Sequence, residues 1–209
     1  HYIYNEEDIE NEREEKIVHD LKELRDTVIS GFESLEPSAK FERTPWNHHS
    51  GGGGEISTIQ GDVFEKAAVN WSGVYGNKLP FKEEESPFFA TGVSLITHMK
   101  NPMMPTVHMN VRYIRSGEQF WFGGGYDLTP MGFDDDGDTK HFHCVAKKAL
   151  GNTLYEKFSQ EAKEYYFIKH WNKERGVGGI FFDHYNTGNF ENDYSMWRNV
   201  GSTFLDAIL

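Results

Sequence analysis

Thr106 to Ile114 alternates strictly, with Val107, Met109, Val111 and Tyr113 on one side of an extended chain and His108, Asn110 and Arg112 on the other. A helix would scatter both sets around its circumference, so the segment is restricted to a strand with one apolar and one polar side. Gly92 to His98 repeats the pattern, Val93, Leu95 and Thr97 opposing Ser94, Ile96 and His98. A proline-rich turn, Asn101 to Pro105, joins the two runs. A half-solvated strand of an antiparallel sheet shows the same alternation. Its wet side, however, is ordinarily filled with Lys, Glu and Thr. Two His, an Asn and an Arg suit a site instead, and adjacent strands would present Ser94, His98, His108, Asn110 and Arg112 to one cavity.

The remaining segments supply a frame. From Glu6 to Leu35, Ile17, Val18, Leu21, Leu24, Val28, Ile29 and Phe32 recur at helical spacing, and the acidic front end suits a helix N-terminus. Pro37 and Pro45 stop this helix. Gly51 to Gly54 permit a close backbone approach but fit neither a P-loop nor a dinucleotide fingerprint. Glu55 to Gln60 and Val63 to Val74 read as strands around a turn at Gly61-Asp62, and Gly76 to Pro87 as a polar loop. Gln119 to Pro130 is an aromatic strand running into a three-glycine turn, after which Asp127 either enters a pocket or caps a turn. The run Asp134, Asp135, Asp136, Asp138 opens like a calcium loop, but its twelfth position is Val145 where glutamate is required, so a solvated acidic loop is expected. Leu150 to Ile168 is helical, Val177 to Tyr185 a buried strand, and Phe190 to Ile208 a last helix. Helix, strands, helix, strand, helix is an α+β order with a mainly antiparallel sheet.

Composition narrows the function. A chain of 209 residues without a long linker is expected to form a single domain, residues 1–209. The net charge of −12 argues against nucleic acid and anionic membrane surfaces, and no apolar run has the length of a spanning helix. A single cysteine, Cys144, excludes a disulfide framework and is compatible with a reducing compartment. Aromatic residues at 15% suit a large core or a flat ligand. His98, His108, His141, His143 and His170 fall at element ends, where imidazoles can hold Zn, Mn or Fe, although no H-E-x-x-H spacing makes that specific. His141 and His143 would share a face on a strand and diverge on a helix. Arg112 is the best anion receptor, with Arg115 and Lys100 near it in sequence; the alternative is a structural ion pair.

Read in order, GGGGEIS, DVFEKAAVN, ATGVSLITHMKNP, PTVHMNVRY, WFGGGYDLTP, HFH and KHWNKERGVGGIFFD, spanning Gly51 to Asp183, closely resemble oxygen-dependent coproporphyrinogen III oxidase. The resemblance implies a flat antiparallel sheet flanked by helices on both faces, usually in a homodimer. It implies aerobic oxidative decarboxylation of two propionates of coproporphyrinogen III to vinyl groups, giving protoporphyrinogen IX, with CO2 and peroxide released. Carried over by motif, Ser94 and Asn110, Val111 and Arg112 would bind substrate, His108 would be the proton donor, and Asp127 would face the pyrrole N–H groups. Arg112 would orient the departing propionate. His98, His108, His143 and His170 match proposed metal ligands. No cofactor is obligatory on this reading, oxygen is the co-substrate, and a divalent metal has a place if those histidines converge. The expected compartment is the cytoplasm, or the mitochondrial intermembrane space for a eukaryotic chain with its transit peptide removed.

The chain departs from the family pattern where Lys169-His170-Trp171 replaces KHR and Phe181-Phe182-Asp183-His184 replaces FFDD, and its loop before Phe88 is short. The family pattern continues beyond Leu209, so this domain is expected to lack a C-terminal part. A non-catalytic tetrapyrrole-binding homologue is the alternative reading.

Overall fold

A computed structural model describes residues 12–129, 136–165, 167–168, 173–174 and 179–208. Seven strands form one antiparallel sheet in the order β1 (Glu42–Asn47), β2 (Gly52–Ile59), β3 (Phe64–Gly76), β4 (Phe88–Met99), β5 (Thr106–Ser116), β6 (Gln119–Thr129) and β9 (Gly179–Tyr185). The first six are sequential neighbours, and β9 joins the far edge after the chain has passed through α2 (Asp136–Tyr165) and the short pair β7 (Phe167–Ile168) and β8 (Lys173–Glu174). Helices α1 (Glu12–Leu35) and α3 (Phe190–Ile208) begin and end the described chain.

The apolar phase of the strands forms the core. Val69, Leu95, Met109, Tyr126 and Ile180 stand directly opposite one another across β3, β4, β5, β6 and β9, and all are buried. Helix α1 lays Ile17, Val18, Leu21, Val28, Ile29 and Phe32 against this face, α3 adds Phe190, Tyr194, Trp197, Val200 and Phe204, and α2 adds Phe142, Ala146 and Phe158. Helix α2 is interrupted at Gly151, whose φ of 75° and ψ of 166° are non-helical. Its course takes it around the β9 edge: Phe158 stacks on Phe182 in the core, while Tyr165 stacks on the adjacent residue Phe181 on the opposite side. Helices were expected on both faces. They reach both, but very unequally, since only the end of α2 touches the second face among the described residues.

At the other edge, Glu36 ties the end of α1 to the β2–β3 turn. Its carboxylate accepts hydrogen bonds from the N–H groups of Asp62, Val63 and Phe64 and from the Ser38 hydroxyl, at 2.7–3.0 Å. Burial alone would raise this carboxyl; the hydrogen bonds from Phe64, Ser38, Val63 and Asp62 outweigh it and hold the group down to about 2.

Three sequence expectations change. Pro45 does not merely end a helix: it lies within β1, a strand at the sheet edge, where a missing N–H need not break a ladder on both sides. Gly123 to Gly125 are not a turn but the middle of β6, which runs through them to Thr129. The second helix begins at Asp136, inside the acidic run expected to be a loop, and therefore carries both His141 and His143. Expectations for residues 1–11, 130–135, 166, 169–172 and 175–178, among them the ligand role of His170, lie outside the described residues.

Candidate active site

Because opposed residues in an antiparallel ladder share a face, register alone specifies the polar side of the sheet. One row runs Ile56, Asn70, Ser94, Asn110, Gly125, Phe181 across β2, β3, β4, β5, β6 and β9. The next runs Ala68, Ile96, His108, Asp127, Gly179, and on the other side lies Gly54, Ser72, Gly92, Arg112, Gly123. With strands about 4.8 Å apart, the Ile56-to-Phe181 row is roughly 24 Å wide, a floor rather than a slot. A cleft of about 770 Å³ sits on it, lined among others by Trp46, Asn70, Ser94, His108, Asn110, Asp127 and Tyr165.

Glycines keep this floor low. Trp46 lies over Gly54 so closely that an added Cβ would come within 2.7 Å of the indole. Its Nε1–H donates to Asn70 Oδ1 at 3.0 Å, so one wall is anchored to the floor. The guanidinium of Arg112 lies across Gly123, where a Cβ would sit 2.8 Å from Nε. Arg112 Nη1 donates to Asn110 Oδ1 at 2.7 Å and Nη2 pairs with Asp183 Oδ1 at 3.1 Å. Two of its five N–H groups thus have partners among the described residues, and three remain for an incoming carboxylate.

His108 and Asp127 face each other directly across β5 and β6. Nδ1 of His108 lies 3.6 Å from Asp127 Oδ1, too long for a hydrogen bond but short enough for an ion pair when the imidazole is protonated. Asp127 is fully buried and accepts from the Thr129 hydroxyl at 3.3 Å, whereas His108 Nδ1 is buried without a hydrogen-bond partner among the described residues. An imidazole and a carboxylate in this arrangement can hold or move a proton at a bound polar N–H.

The sequence-predicted residues divide accordingly. Ser94, His108, Asn110 and Asp127 line the cleft, and Arg112 adjoins it in the next row. Val111 is 2% exposed with its side chain in the core, so any contribution it makes to binding is through its main chain. Arg115 is not beside Arg112: it points to the opposite face and pairs with buried Glu14 at 2.5 Å. His98 is exposed one row beyond His108, with Nδ1 3.5 Å from the Thr106 hydroxyl. His143 lies on α2 with Nδ1 2.6 Å from the Tyr155 hydroxyl. Burial pushes the Tyr155 hydroxyl above its ordinary value. Among the described residues His98, His108 and His143 do not form a three-ligand cluster; the group that could is His19, Asp20 and Glu23 on α1, with His19 and Glu23 exposed and Asp20 half-buried. Sequence reasoning missed Trp46, Asn70, Tyr165 and Asp183. Asn70 and Asp183 were visible as the polar phase of strands, but Trp46 and Tyr165 had no local signal.

An antiparallel sheet whose open face carries a broad glycine-lowered floor, an imidazole–carboxylate pair, a guanidinium and aromatic walls offers a cleft with groups able to hold a carboxylate and to move a proton. Residues 16–209 match the family described as Coproporphyrinogen III oxidase. The chain is 41% identical over 203 residues to the oxygen-dependent coproporphyrinogen-III oxidases of Rickettsia rickettsii (strain Sheila Smith), Rickettsia bellii (strain OSU 85-389) and Rickettsia akari (strain Hartford), covering 88% of this chain and 72% of each relative. It belongs to the coproporphyrinogen III oxidase family.

Proposed function

We propose that this chain is an oxygen-dependent coproporphyrinogen III oxidase, converting two propionates of its substrate to vinyl groups. The observation that carries the reading is the facing of His108 and Asp127 across two central strands, beside Arg112, in a chain of this family. For each side chain the balance is R–CH2–CH2–COO⁻ + O2 + H⁺ giving R–CH=CH2 + CO2 + H2O2. The ring-adjacent carbon formally loses a hydride to oxygen, which with a proton becomes peroxide. The C–COO⁻ bond then breaks, its electron pair forms the double bond, and CO2 leaves.

The residues have distinct tasks in this scheme. Arg112 receives the propionate carboxylate and fixes the reacting carbon over the floor. Asp127 takes hydrogen bonds from the pyrrole N–H groups and stabilises the positive charge that develops there as the hydride departs. His108 supplies the proton consumed at oxygen. Ser94 and Asn110 hold the macrocycle on the floor between Trp46 and the Tyr165–Phe181 stack. The reducing electrons come from the substrate, so the scheme needs oxygen but no organic cofactor; a divalent ion is tested by a chelator. We further propose a homodimer, checked by light scattering, and a cytoplasmic setting, with which the exposed free thiol of Cys144 is consistent. No helix among the described residues is long and apolar enough to cross a membrane.

The test is aerobic incubation with coproporphyrinogen III, following protoporphyrin, CO2 and peroxide together. One CO2 and one peroxide per vinyl group formed is the expected stoichiometry. Binding without turnover would instead make the chain a non-catalytic tetrapyrrole binder.

A further inference from the structure

Arg112 is held from two sides, and only one of the holders belongs to the cleft lining. Asn110 is its neighbour on β5. Asp183 reaches it from β9, across Gly123, where the β6–β9 register shifts between Phe122 and Gly124. Asp183 is itself fixed. Oδ1 accepts the His184 backbone N–H at 2.9 Å, and Oδ2 lies 3.3 Å from His184 Nδ1. His184 has a φ of 50°, a conformation non-glycine residues seldom adopt, and its ring stacks on Trp121 with centroids 5.0 Å apart and planes 15° apart. A chain of contacts therefore runs from Trp121 through His184 and Asp183 to Arg112.

Side-chain exposures of 30% for Arg112 and 37% for Asp183 mean that the ion pair adds little to stability. Its consequence is orientation. An arginine loses several rotamers when it is held, and a guanidinium already fixed before the ligand arrives spares the ligand that ordering. The same carboxylate partly neutralises Arg112, so a single Asp183 both aims the receptor and competes with the group it receives.

We propose that Asp183, braced by His184, is a positioning residue that fixes the Arg112 guanidinium across Gly123 so that its remaining N–H groups receive a substrate carboxylate. This rests on the reading of Arg112 as the propionate receptor. The probe is coproporphyrin III, the oxidised and unreactive macrocycle with the same carboxylates, titrated by fluorescence against the full chain and its variants. Asp183→Ala, with an unchanged melting temperature, is expected to weaken binding about tenfold, the scale of one hydrogen bond to a charged group. Asp183→Asn keeps an acceptor at the Oδ1 position while removing the competing charge, and should bind at least as tightly as wild type. In an Arg112→Ala background, Asp183→Ala should have no further effect. Wild-type affinity in Asp183→Ala, when Arg112→Ala is weakened, would overturn the proposal. So would an Asp183→Ala loss that persists without Arg112, or one that Asn fails to rescue. Wild-type affinity in Arg112→Ala would instead overturn the receptor reading itself.

Discussion

The two faces of the sheet are built from the same strands and have opposite characters. On β5, Val107, Met109, Val111 and Tyr113 are buried beneath helices, while His108, Asn110 and Arg112, each one residue away, remain partly exposed on the cleft side. The covered face is continuous with an aromatic core, including contacts of Phe122 with Tyr194 and Trp197. On the open face small and polar groups line the cleft, and a smaller apolar cluster of Leu79, Phe88 and Trp121 lies beyond the Arg112 row. Stability is concentrated on one side, which leaves the other free to carry residues chosen for chemistry. Among the charged groups of this face Asp127 differs in being fully buried.

Substitutions that differ by one position along a strand should separate these roles. Phe122→Ala, at 0% exposure on the covered face, is expected to destabilise by about 3–5 kcal/mol in chemical denaturation. Met109→Ala should cost about 2–5 kcal/mol, whereas its neighbour Asn110→Ala should stay within about 1 kcal/mol and instead weaken substrate binding. Equal stability losses at Met109 and Asn110 would break the distinction between the faces.

An acid titration tests where the covered side is fastened to the sheet. The Glu36 carboxyl is held at about 2, below its ordinary value of 4.5. Its contribution is therefore fully present above the unfolded value and lost as the pH falls from about 4.5 towards 2. Glu36→Gln should flatten that part of the stability profile; a profile identical to wild type would mean the carboxylate does not fasten α1 to the turn. The smallest effect is expected at the wall: Trp46→Phe removes the Nε1–Asn70 hydrogen bond and should raise KM only about two- to threefold, with the melting temperature unchanged.

Much of the fold was legible because alternating residues announce a strand and helical spacing announces α1 and α3. Strand β1 was hidden by Pro45 and by a sequence with little apolar alternation, since an edge strand need not contribute to the core. Gly123 to Gly125 concealed the phase of β6, because glycine has no side chain to declare which face it occupies. The His108–Arg112 side of the cleft followed from periodicity. The facing of Asp127 and His108 required inter-strand register, and the Asp183–Arg112 pair required knowing that β9 returns beside β6 after a long excursion.

The most direct measurement is the single-turnover rate of protoporphyrinogen IX formation by Asp127→Asn beside wild type, with the fold verified by circular dichroism. Asparagine preserves the size of the buried side chain but cannot carry the negative charge that the scheme places at the pyrrole N–H groups. A loss of about 10²–10⁴-fold with the fold intact is predicted. Turnover within a factor of two of wild type would contradict the assignment of the chemistry to this face.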